Sequence, residues 1–277
     1  MPRAWNSAAR QPPPQKEEEP VTVLVTGFGP FLQKYPKNSS WEIASTLPAL
    51  LPSTPTSPTP IHVHVHHTPV RVAYSHVVSF IPTLLPPANP ITPAPSIILH
   101  IGLAAGRSFY TIERGAHGRG YGAIPDVDAD RFDDNIAEEK FPRAVYPPRL
   151  LTSFDCEDVL GRWREYLGSN GEKQLKADVR ISPDAGNFLC GFIYYNSLAH
   201  YFELKEDERP VAFLHVPDLS ESEEMLNVGR EVAVALIRAL VESRRTEGVV
   251  DKSVDGGEQV VSGVDPRAGT DVNFQQG

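Results

Sequence analysis

Short runs rich in β-branched apolar residues alternate along this chain with segments of helical spacing, and this alternation limits the folds open to it. The runs that predict strands are VTVLVT (21–26), IHVHVHHTPV (61–70), SIILHIGLA (96–104), DVRIS (178–182) and PVAFLHV (210–216). The segments that predict helices begin at SSWEIASTL, VAYSHVVSFIPTLL, CEDVLGRWREYL, the region of Cys190, and Ser222. Strands that alternate with helices form βαβ units, whose helices cover both faces of a mostly parallel sheet. We therefore predict an α/β fold, a single-domain three-layer α/β/α sandwich with a mostly parallel central sheet.

Composition sets the expected limits of the folded unit. All of the predicted strands and helices fall between residues 21 and 245, whereas residues 1–20 and 246–277 are polar and lack a periodic apolar pattern. We predict one domain over 21–245, with a flexible N-terminal tail (1–20) and a flexible C-terminal tail (246–277). Two Pro-rich stretches are expected to be surface loops, and the Gly- and Asp-rich segment 106–148 is expected to be a long loop.

The charge and the cysteine content exclude several classes of protein. A net charge of −9 at pH 7 without a Lys/Arg block argues against binding to nucleic acid or to a membrane surface. No stretch approaches the roughly 18 apolar residues of a membrane span, and the first residues lack an apolar core of signal-peptide length. Two cysteines cannot build a disulfide framework and suit a reducing compartment. We expect a cytoplasmic protein, and the sequence leaves its oligomeric state open.

Cys190 follows the turn residues SPDAGNF and precedes an apolar helical segment. Unpaired backbone N–H groups at a helix start favour the thiolate, so a nucleophilic cysteine is one interpretation. A buried, chemically inert cysteine is the other, because free cysteine is among the most buried residue types. Cys156 stands among acidic residues at another helix start, where we expect it to be exposed and to take no part in catalysis.

A nucleophilic thiol needs a base, and the base needs a partner that orients it. His215 stands at the end of the last predicted strand, just before Pro217, and Glu113 lies in the segment after SIILHIGLA. From these places His215 could accept a proton and Glu113 could hold the imidazole in the required tautomer. Taken singly, His215 could equally be a core histidine, and Glu113 a surface carboxylate paired with Arg107 or Arg114.

Two further patterns suggest a metal or a cofactor, and neither is complete. His62, His64 and His66 would share one strand face, but no carboxylate or cysteine stands nearby in sequence to complete a metal site, so a polar outward face is expected. The loop GFGPFL after the first strand has Leu32 where a dinucleotide fingerprint requires its third glycine. We expect no metal and no cofactor.

Five motifs in a fixed order resemble the pyroglutamyl peptidase I (pyrrolidone-carboxylate peptidase) family, the C15 family of cysteine peptidases that removes N-terminal pyroglutamate. These motifs are VLVTGFGPF (23–31), NSSW (38–41), HIGLAAGRSFYTIERGAHGRGYG (100–122), ISPDAGNFLCGFIYYNSL (181–198) and AFLHVP (212–217). They span about residues 21–240, which makes the predicted domain a catalytic domain. The motifs DAGNFLC and YYNSL resemble those of the eukaryotic branch of the family.

The resemblance implies a Cys-His-Glu triad in a cysteine-type omega peptidase that needs no metal and no cofactor. Cys190 would be the nucleophile that forms a thioester, His215 the base and later the acid, and Glu113 the residue that orients His215. Phe28 and Phe31 would line the pocket for the pyroglutamyl ring. Asn38 would contact its lactam, and the substrates would be peptides with N-terminal pyroglutamate.

The chain departs from the bacterial pattern of that family at three positions. Leu103 replaces a glutamine that contacts the lactam, Ala123 replaces an arginine near the site, and Gly191 stands where an asparagine or aspartate is more usual. These departures leave two alternatives open. One is a non-catalytic relative that binds N-terminal lactams or peptides, and the other is an amidohydrolase that acts on another small amide.

Overall fold

The computed structural model describes residues 19–31, 36–168 and 175–249, and within these ranges it contains nine strands and six helices. The strands are β1 (Val21–Gly27), β2 (Leu50–Leu51), β3 (Ile61–Val65), β4 (Ile97–Leu103), β5 (Tyr110–Glu113), β6 (Gly115–His117), β7 (Arg149–Leu151), β8 (Val179–Ser182) and β9 (Val211–Val216). The helices are α1 (Ser39–Ala44), α2 (Tyr74–Leu84), α3 (Asp134–Lys140), α4 (Cys156–Gly168), α5 (Leu189–Leu204) and α6 (Glu223–Glu247). The predicted tails, 1–20 and 246–277, lie almost entirely outside the described residues.

Seven strands form the central sheet in the order β2-β3-β1-β4-β9-β5-β8, and β6 and β7 form a separate antiparallel pair. The four central strands β3, β1, β4 and β9 are parallel, and β2 pairs with β3 in the antiparallel direction. β5 is antiparallel to β9 and parallel to β8, so the last two strands run opposite to the central four. The predicted mostly parallel sheet is confirmed, and the reversal at β5 is a feature that apolar periodicity cannot indicate.

Each face of the sheet is covered by its own helices, because side chains on a strand alternate between the two faces. Val25 and Leu214 point to one face, where they pack in a core with α1, α4 and α6. Leu24 and Phe213 point to the other face, where they pack with α2 and α5. The predicted α/β/α layers are therefore confirmed. Within the described ranges, no helix is long and apolar enough to cross a membrane.

The Gly- and Asp-rich segment 106–148 is not the long loop that its composition predicts. It contains β5, β6 and α3. Asp126 is buried within it and accepts hydrogen bonds from the backbone N–H groups of Tyr74 (2.8 Å), Asp128 (2.8 Å) and Asp130 (3.0 Å), which ties the segment to the start of α2. The prediction was wrong because Gly and Asp also mark the tight turns between short elements.

The Pro-rich stretch between α1 and β3 contains β2 and is fixed to α6 by a buried carboxylate. Glu242 accepts hydrogen bonds from the Thr59 N–H (3.3 Å), the Ser57 hydroxyl (3.4 Å) and Arg245 Nε (2.8 Å). These donors offset the cost of removing the Glu242 carboxylate from water. A segment of low-complexity composition is thereby held in one position on the helix.

His100 joins three elements on the sheet face that α5 covers. The side chain is fully buried; its Nδ1 is hydrogen-bonded to Thr26 Oγ1 on β1 (2.7 Å), and its Nε2 to Ser197 Oγ on α5 (2.9 Å). Burial disfavours the charged imidazolium and lowers the pKa of His100 to about 3. A neutral imidazole therefore fixes α5 relative to β1 and β4 over the whole physiological pH range.

His100 makes the free energy of unfolding depend on pH. The unfolded chain binds a proton at His100 near pH 6.5, whereas the folded chain does so near pH 3, so stability falls as the pH is lowered between these values. The contribution has a slope of up to about 1.4 kcal/mol per pH unit. Urea denaturation between pH 4 and 7 should show a flatter profile for His100→Gln than for the wild type. His67→Gln, at an exposed histidine, is the control, and equal slopes in all three proteins would contradict the prediction.

Candidate active site

Glu113 and His215 lie side by side on the sheet face that α5 covers. The Glu113 side chain has no exposed surface, and His215 Nδ1 donates to its Oε1 over 2.7 Å. The pairing of β5 with β9 explains the contact, since Thr111 is the register partner of His215 and Glu113 is two residues further along the same face. Glu113 is thus the last residue of a strand, and its predicted position in a loop was wrong because β5 is too short and too polar to be distinguished by its pattern.

Three donors converge on one oxygen of Glu113. Besides His215, the Thr111 hydroxyl donates to Oε1 over 2.7 Å, and Arg107 Nη1 donates to it over 3.0 Å. The alternative partner suggested by the sequence, Arg114, pairs instead with Glu157. Glu113 therefore binds both a histidine and an arginine, and the interpretation of it as a surface carboxylate was wrong because the side chain is buried.

The surroundings of Glu113 keep it ionised. Burial alone would raise the pKa of the carboxyl, but the hydrogen bond and charge of His215, the Arg107 guanidinium and the Ser182 hydroxyl together lower it below its ordinary value. An ionised carboxylate only accepts hydrogen bonds, so Nδ1 of His215 carries the proton. When the imidazole is neutral, Nε2 is then the proton acceptor, which is the arrangement that a general base requires.

Cys190 is the second residue of α5, behind a turn that is fixed by its own side chains. The backbone N–H of Gly186 donates to Asp184 Oδ1 over 2.6 Å, and Gly186 adopts a positive φ of 83°, which favours glycine. Phe188 then takes the extended conformation of an N-cap residue, and its carbonyl accepts the Phe192 N–H at 2.9 Å. The thiol consequently lies in the first helical turn, where backbone N–H groups stabilise a thiolate.

Gly102 brings the thiol and the histidine to the same place. A Cβ atom at Gly102 would lie 2.8 Å from Cys190 Sγ and 2.6 Å from Cζ of Phe213, so the missing side chain makes room for the sulfur above β4. Gly102 is also the register partner of His215 in the neighbouring strand. Cys190, His215 and Glu113 are therefore gathered on one face of the sheet, above three adjacent strands.

The residues expected to line a pocket stand on the loop after β1. Phe28 is buried and donates its backbone N–H to Ser40 Oγ over 3.0 Å, and Phe31 is half-buried with its ring 6.4 Å from that of Phe188. Asn38 is buried as the N-cap of α1, where Nδ2 donates to the Gly29 carbonyl over 2.9 Å. The Asn38 amide thus holds the aromatic loop in place.

Sequence reasoning missed Phe188 as a neighbour of the aromatic loop, although its place two residues before Cys190 was a usable signal. It also placed Cys156 at the surface, whereas only 2% of Cys156 is exposed. Cys156, Val159, Leu160 and Trp163 have the spacing of one apolar helix face and pack in the core on the other side of the sheet. The acidic neighbours misled the prediction, since Glu157 points away from this face and pairs with Arg114.

The three histidines that were expected to share one face of β3 do not all lie on the strand. His62 and His64 are half-buried along the strand, while His66 follows its end and packs against Phe80 with a ring distance of 4.9 Å. Among the residues that the structure describes, no group of three or more His, Cys, Asp or Glu side chains could hold a metal ion.

Gly102→Ala should slow the reaction of the Cys190 thiol with iodoacetamide. The added methyl group would overlap both Sγ and the Phe213 ring, so the thiol must move from its place above Gly102. Alkylation of Cys190 can be followed by mass spectrometry at several pH values. Gly161→Ala on α4 is the matched control, because a Cβ there meets nothing within 4 Å, and equal rates in the two variants would exclude this role for Gly102.

Comparisons of the sequence with known proteins all identify relatives of one family. Residues 21–151 match the family described as pyroglutamyl peptidase. The pyrrolidone-carboxylate peptidase of Deinococcus radiodurans is 31% identical over 196 residues, which cover 71% of this chain and 78% of the relative. Human pyroglutamyl-peptidase 1 is 26% identical over 235 residues, which cover 85% of this chain and 97% of the relative.

Solved structures show the same fold. The pyrrolidone carboxyl peptidase of Thermus thermophilus superposes with a TM-score of 0.54 at 28% identity, over 80% of this chain and 99% of that one. The pyrrolidone carboxyl peptidase of Pyrococcus furiosus gives a TM-score of 0.60 at 23% identity, again over 80% and 99% of the two chains.

Proposed function

The chain belongs to the pyroglutamyl peptidase family, and we propose that Cys190, His215 and Glu113 are the triad with which it carries out the reaction of a cysteine-type omega peptidase. That reaction is hydrolysis of the amide bond after an N-terminal pyroglutamyl residue. The observation that carries the proposal is the 2.7 Å hydrogen bond from His215 Nδ1 to the buried Glu113. It lies on the same face of the sheet as the Cys190 sulfur, which occupies the space above Gly102.

Acylation begins when Nε2 of His215 accepts the proton of the Cys190 thiol. The sulfur attacks the pyroglutamyl carbonyl carbon, and the carbonyl oxygen becomes an oxyanion near the backbone N–H groups at the start of α5. The tetrahedral intermediate expels the peptide amine, which takes the proton from His215. Cys190 is left as a thioester of pyroglutamate.

Deacylation repeats these steps with water as the nucleophile. His215 removes a proton from water, the resulting hydroxide attacks the thioester, and the thiolate leaves as pyroglutamate is released. In both halves Glu113 stays ionised, fixes the tautomer of His215 and stabilises the imidazolium that forms.

We assign recognition of the pyroglutamyl ring to the aromatic loop and to Phe188. Pyroglutamate is a flat, neutral lactam, so aromatic walls with a few fixed hydrogen bonds can select it. Phe28 and Phe31 would supply these walls, and Phe188 would add a third beside the nucleophile. A charged N-terminal amine would lose its hydration among these rings without a compensating partner, which excludes ordinary peptide N-termini.

The substrates of the enzyme are then peptides that begin with pyroglutamate. We place the enzyme in the cytoplasm, because a nucleophilic thiol at a helix start is oxidised readily outside a reducing compartment.

Wild-type protein should release the fluorophore from a pyroglutamyl amide under reducing conditions, and Cys190→Ala should release none. Cys156→Ala, at the buried cysteine on the other side of the sheet, is the matched control and should keep near-normal turnover. Prolyl and glutaminyl amides test the selectivity for the lactam. Turnover by Cys190→Ala would remove the nucleophile from the proposal, and binding without turnover by the folded wild type would favour a lactam-binding protein.

Glu113→Gln should lower kcat by about 10²- to 10⁴-fold, because a neutral amide neither fixes the tautomer of His215 nor stabilises its imidazolium. The effect is measured as steady-state turnover of the pyroglutamyl amide, with near-UV circular dichroism as the check of folding. Glu242→Gln is the matched control, since Glu242 is an equally buried glutamate that binds the Pro-rich stretch. A normal rate in Glu113→Gln would exclude Glu113 from the triad.

A further inference from the structure

Arg107 lies on the turn between β4 and β5 and reaches the buried end of the triad. Its Nη1 donates to Thr111 Oγ1 over 2.8 Å and to Glu113 Oε1 over 3.0 Å, and its side chain is 16% exposed. We propose that Arg107 is a positioning residue of the reaction, which holds the Glu113 carboxylate in the orientation that His215 requires and sets the charge of the triad. This inference rests on the proposed function of the triad.

The first argument is geometric. The donors from Arg107, Thr111 and His215 all meet at Oε1, and Oε2 is buried without a hydrogen-bond partner among the described residues. The hydrogen bonds that orient the Glu113 carboxylate are therefore those at Oε1, while the Ser182 hydroxyl adds to the stabilisation of its charge. A guanidinium can only donate, so the Thr111 hydroxyl oxygen accepts a hydrogen bond from Arg107. The proton of the Thr111 hydroxyl is then directed at Glu113.

The second argument concerns charge. Whenever the imidazole is neutral, the charge of His215 no longer offsets the burial of the Glu113 carboxylate, and the Arg107 guanidinium is the charged group that still does. Arg107 and His215 are the charged groups that lower the pKa of Glu113, and of these only the guanidinium is charged at every pH of interest. Arg107 thus preserves the ionised carboxylate when His215 is neutral.

Of the groups that shift the pKa of Glu113, only His215 and Arg107 carry a charge, and Arg149 acts on the neighbouring Tyr194. From α5, Cys190 is the nucleophile, and Tyr194 donates its hydroxyl to the Glu113 carbonyl over 3.0 Å. Burial raises the pKa of Tyr194 well above its ordinary value, and burial lowers that of His100, on β4, to about 3. β8 contributes the uncharged Ser182. A change of charge at position 107 therefore changes the electrostatic potential at the triad directly.

Loss of the guanidinium has a defined consequence for the pH profile. A positive charge close to the triad favours the thiolate and opposes the imidazolium, so its removal raises the pKa of both groups. The kcat/KM profile of Arg107→Met should move to higher pH by about one unit. Its kcat should fall by at least about tenfold through misorientation of Glu113, while KM stays within a few-fold of the wild type, because the Arg107 guanidinium donates to Thr111 and Glu113.

The experiment measures kcat, KM and their pH dependence for wild type, Arg107→Met and Arg107→Lys with the fluorogenic pyroglutamyl amide. Arg107→Lys keeps the charge but cannot reproduce the guanidinium geometry, so it should restore the pH profile and recover only part of kcat. Arg114→Met is the matched control, because Arg114 follows Glu113 directly but pairs with Glu157. Its kinetics should equal those of the wild type.

The rate of Cys190 alkylation as a function of pH, measured on the same proteins, tests the inference without turnover. A shift to higher pH in Arg107→Met that Arg107→Lys reverses supports it. Wild-type kcat and an unshifted profile in folded Arg107→Met would overturn it and leave the proposed triad intact. A reduced kcat with an unshifted profile in both variants would also overturn it, because that result would show that Arg107 only supports the structure. Absence of turnover by wild type would instead refute the proposed function, and the alkylation profiles would still decide the role of Arg107.

Discussion

Burial of the Glu113 carboxylate is the constraint on which the arrangement of the site depends. A carboxylate without exposed surface is unfavourable unless charged groups and hydrogen-bond donors surround it. The reversal of β5 supplies them, since it sets Thr111 opposite His215 and brings Glu113 within reach of the imidazole. In a fully parallel sheet the end of β5 would lie at the carboxyl edge, where water would compete for the same donors.

The thiol is placed by close packing in addition to polar contacts. Gly102 removes a side chain where the sulfur and the Phe213 ring meet the sheet. His100, two residues earlier on the same strand face, ties β4 to Ser197 on α5. The two positions act together. The hydrogen bond of His100 to Ser197 fixes the height of α5 above the sheet, and Gly102 leaves the space for the sulfur that this height requires.

Much of the fold and the positions of the candidate site residues at the ends of strands and at a helix start could be predicted from the sequence, because apolar periodicity and short motifs are local properties. Strand direction is not local, and the antiparallel β5 therefore gave no signal. The burial of Cys156 was available in the helical spacing it shares with Val159 and Trp163, but the acidic neighbours suggested an exposed position. The binding of both Arg107 and His215 by Glu113 could not be predicted, since separation in sequence does not show that the two side chains approach one oxygen.

Gly191, which follows Cys190, is required by the close approach of the turn before α5. A Cβ at Gly191 would lie 1.8 Å from the Gly186 carbonyl oxygen, so any side chain there would displace the turn before α5. That turn is held by Asp184, whose carboxylate also pairs with His117 Nε2 over 2.6 Å. Gly191 and the turn 184–186 therefore depend on each other, because the main chain of the turn fills the space that a side chain at position 191 would need. In the proposed reaction, an oxyanion would be stabilised by backbone N–H groups at the helix start, whose geometry the Asp184 turn sets.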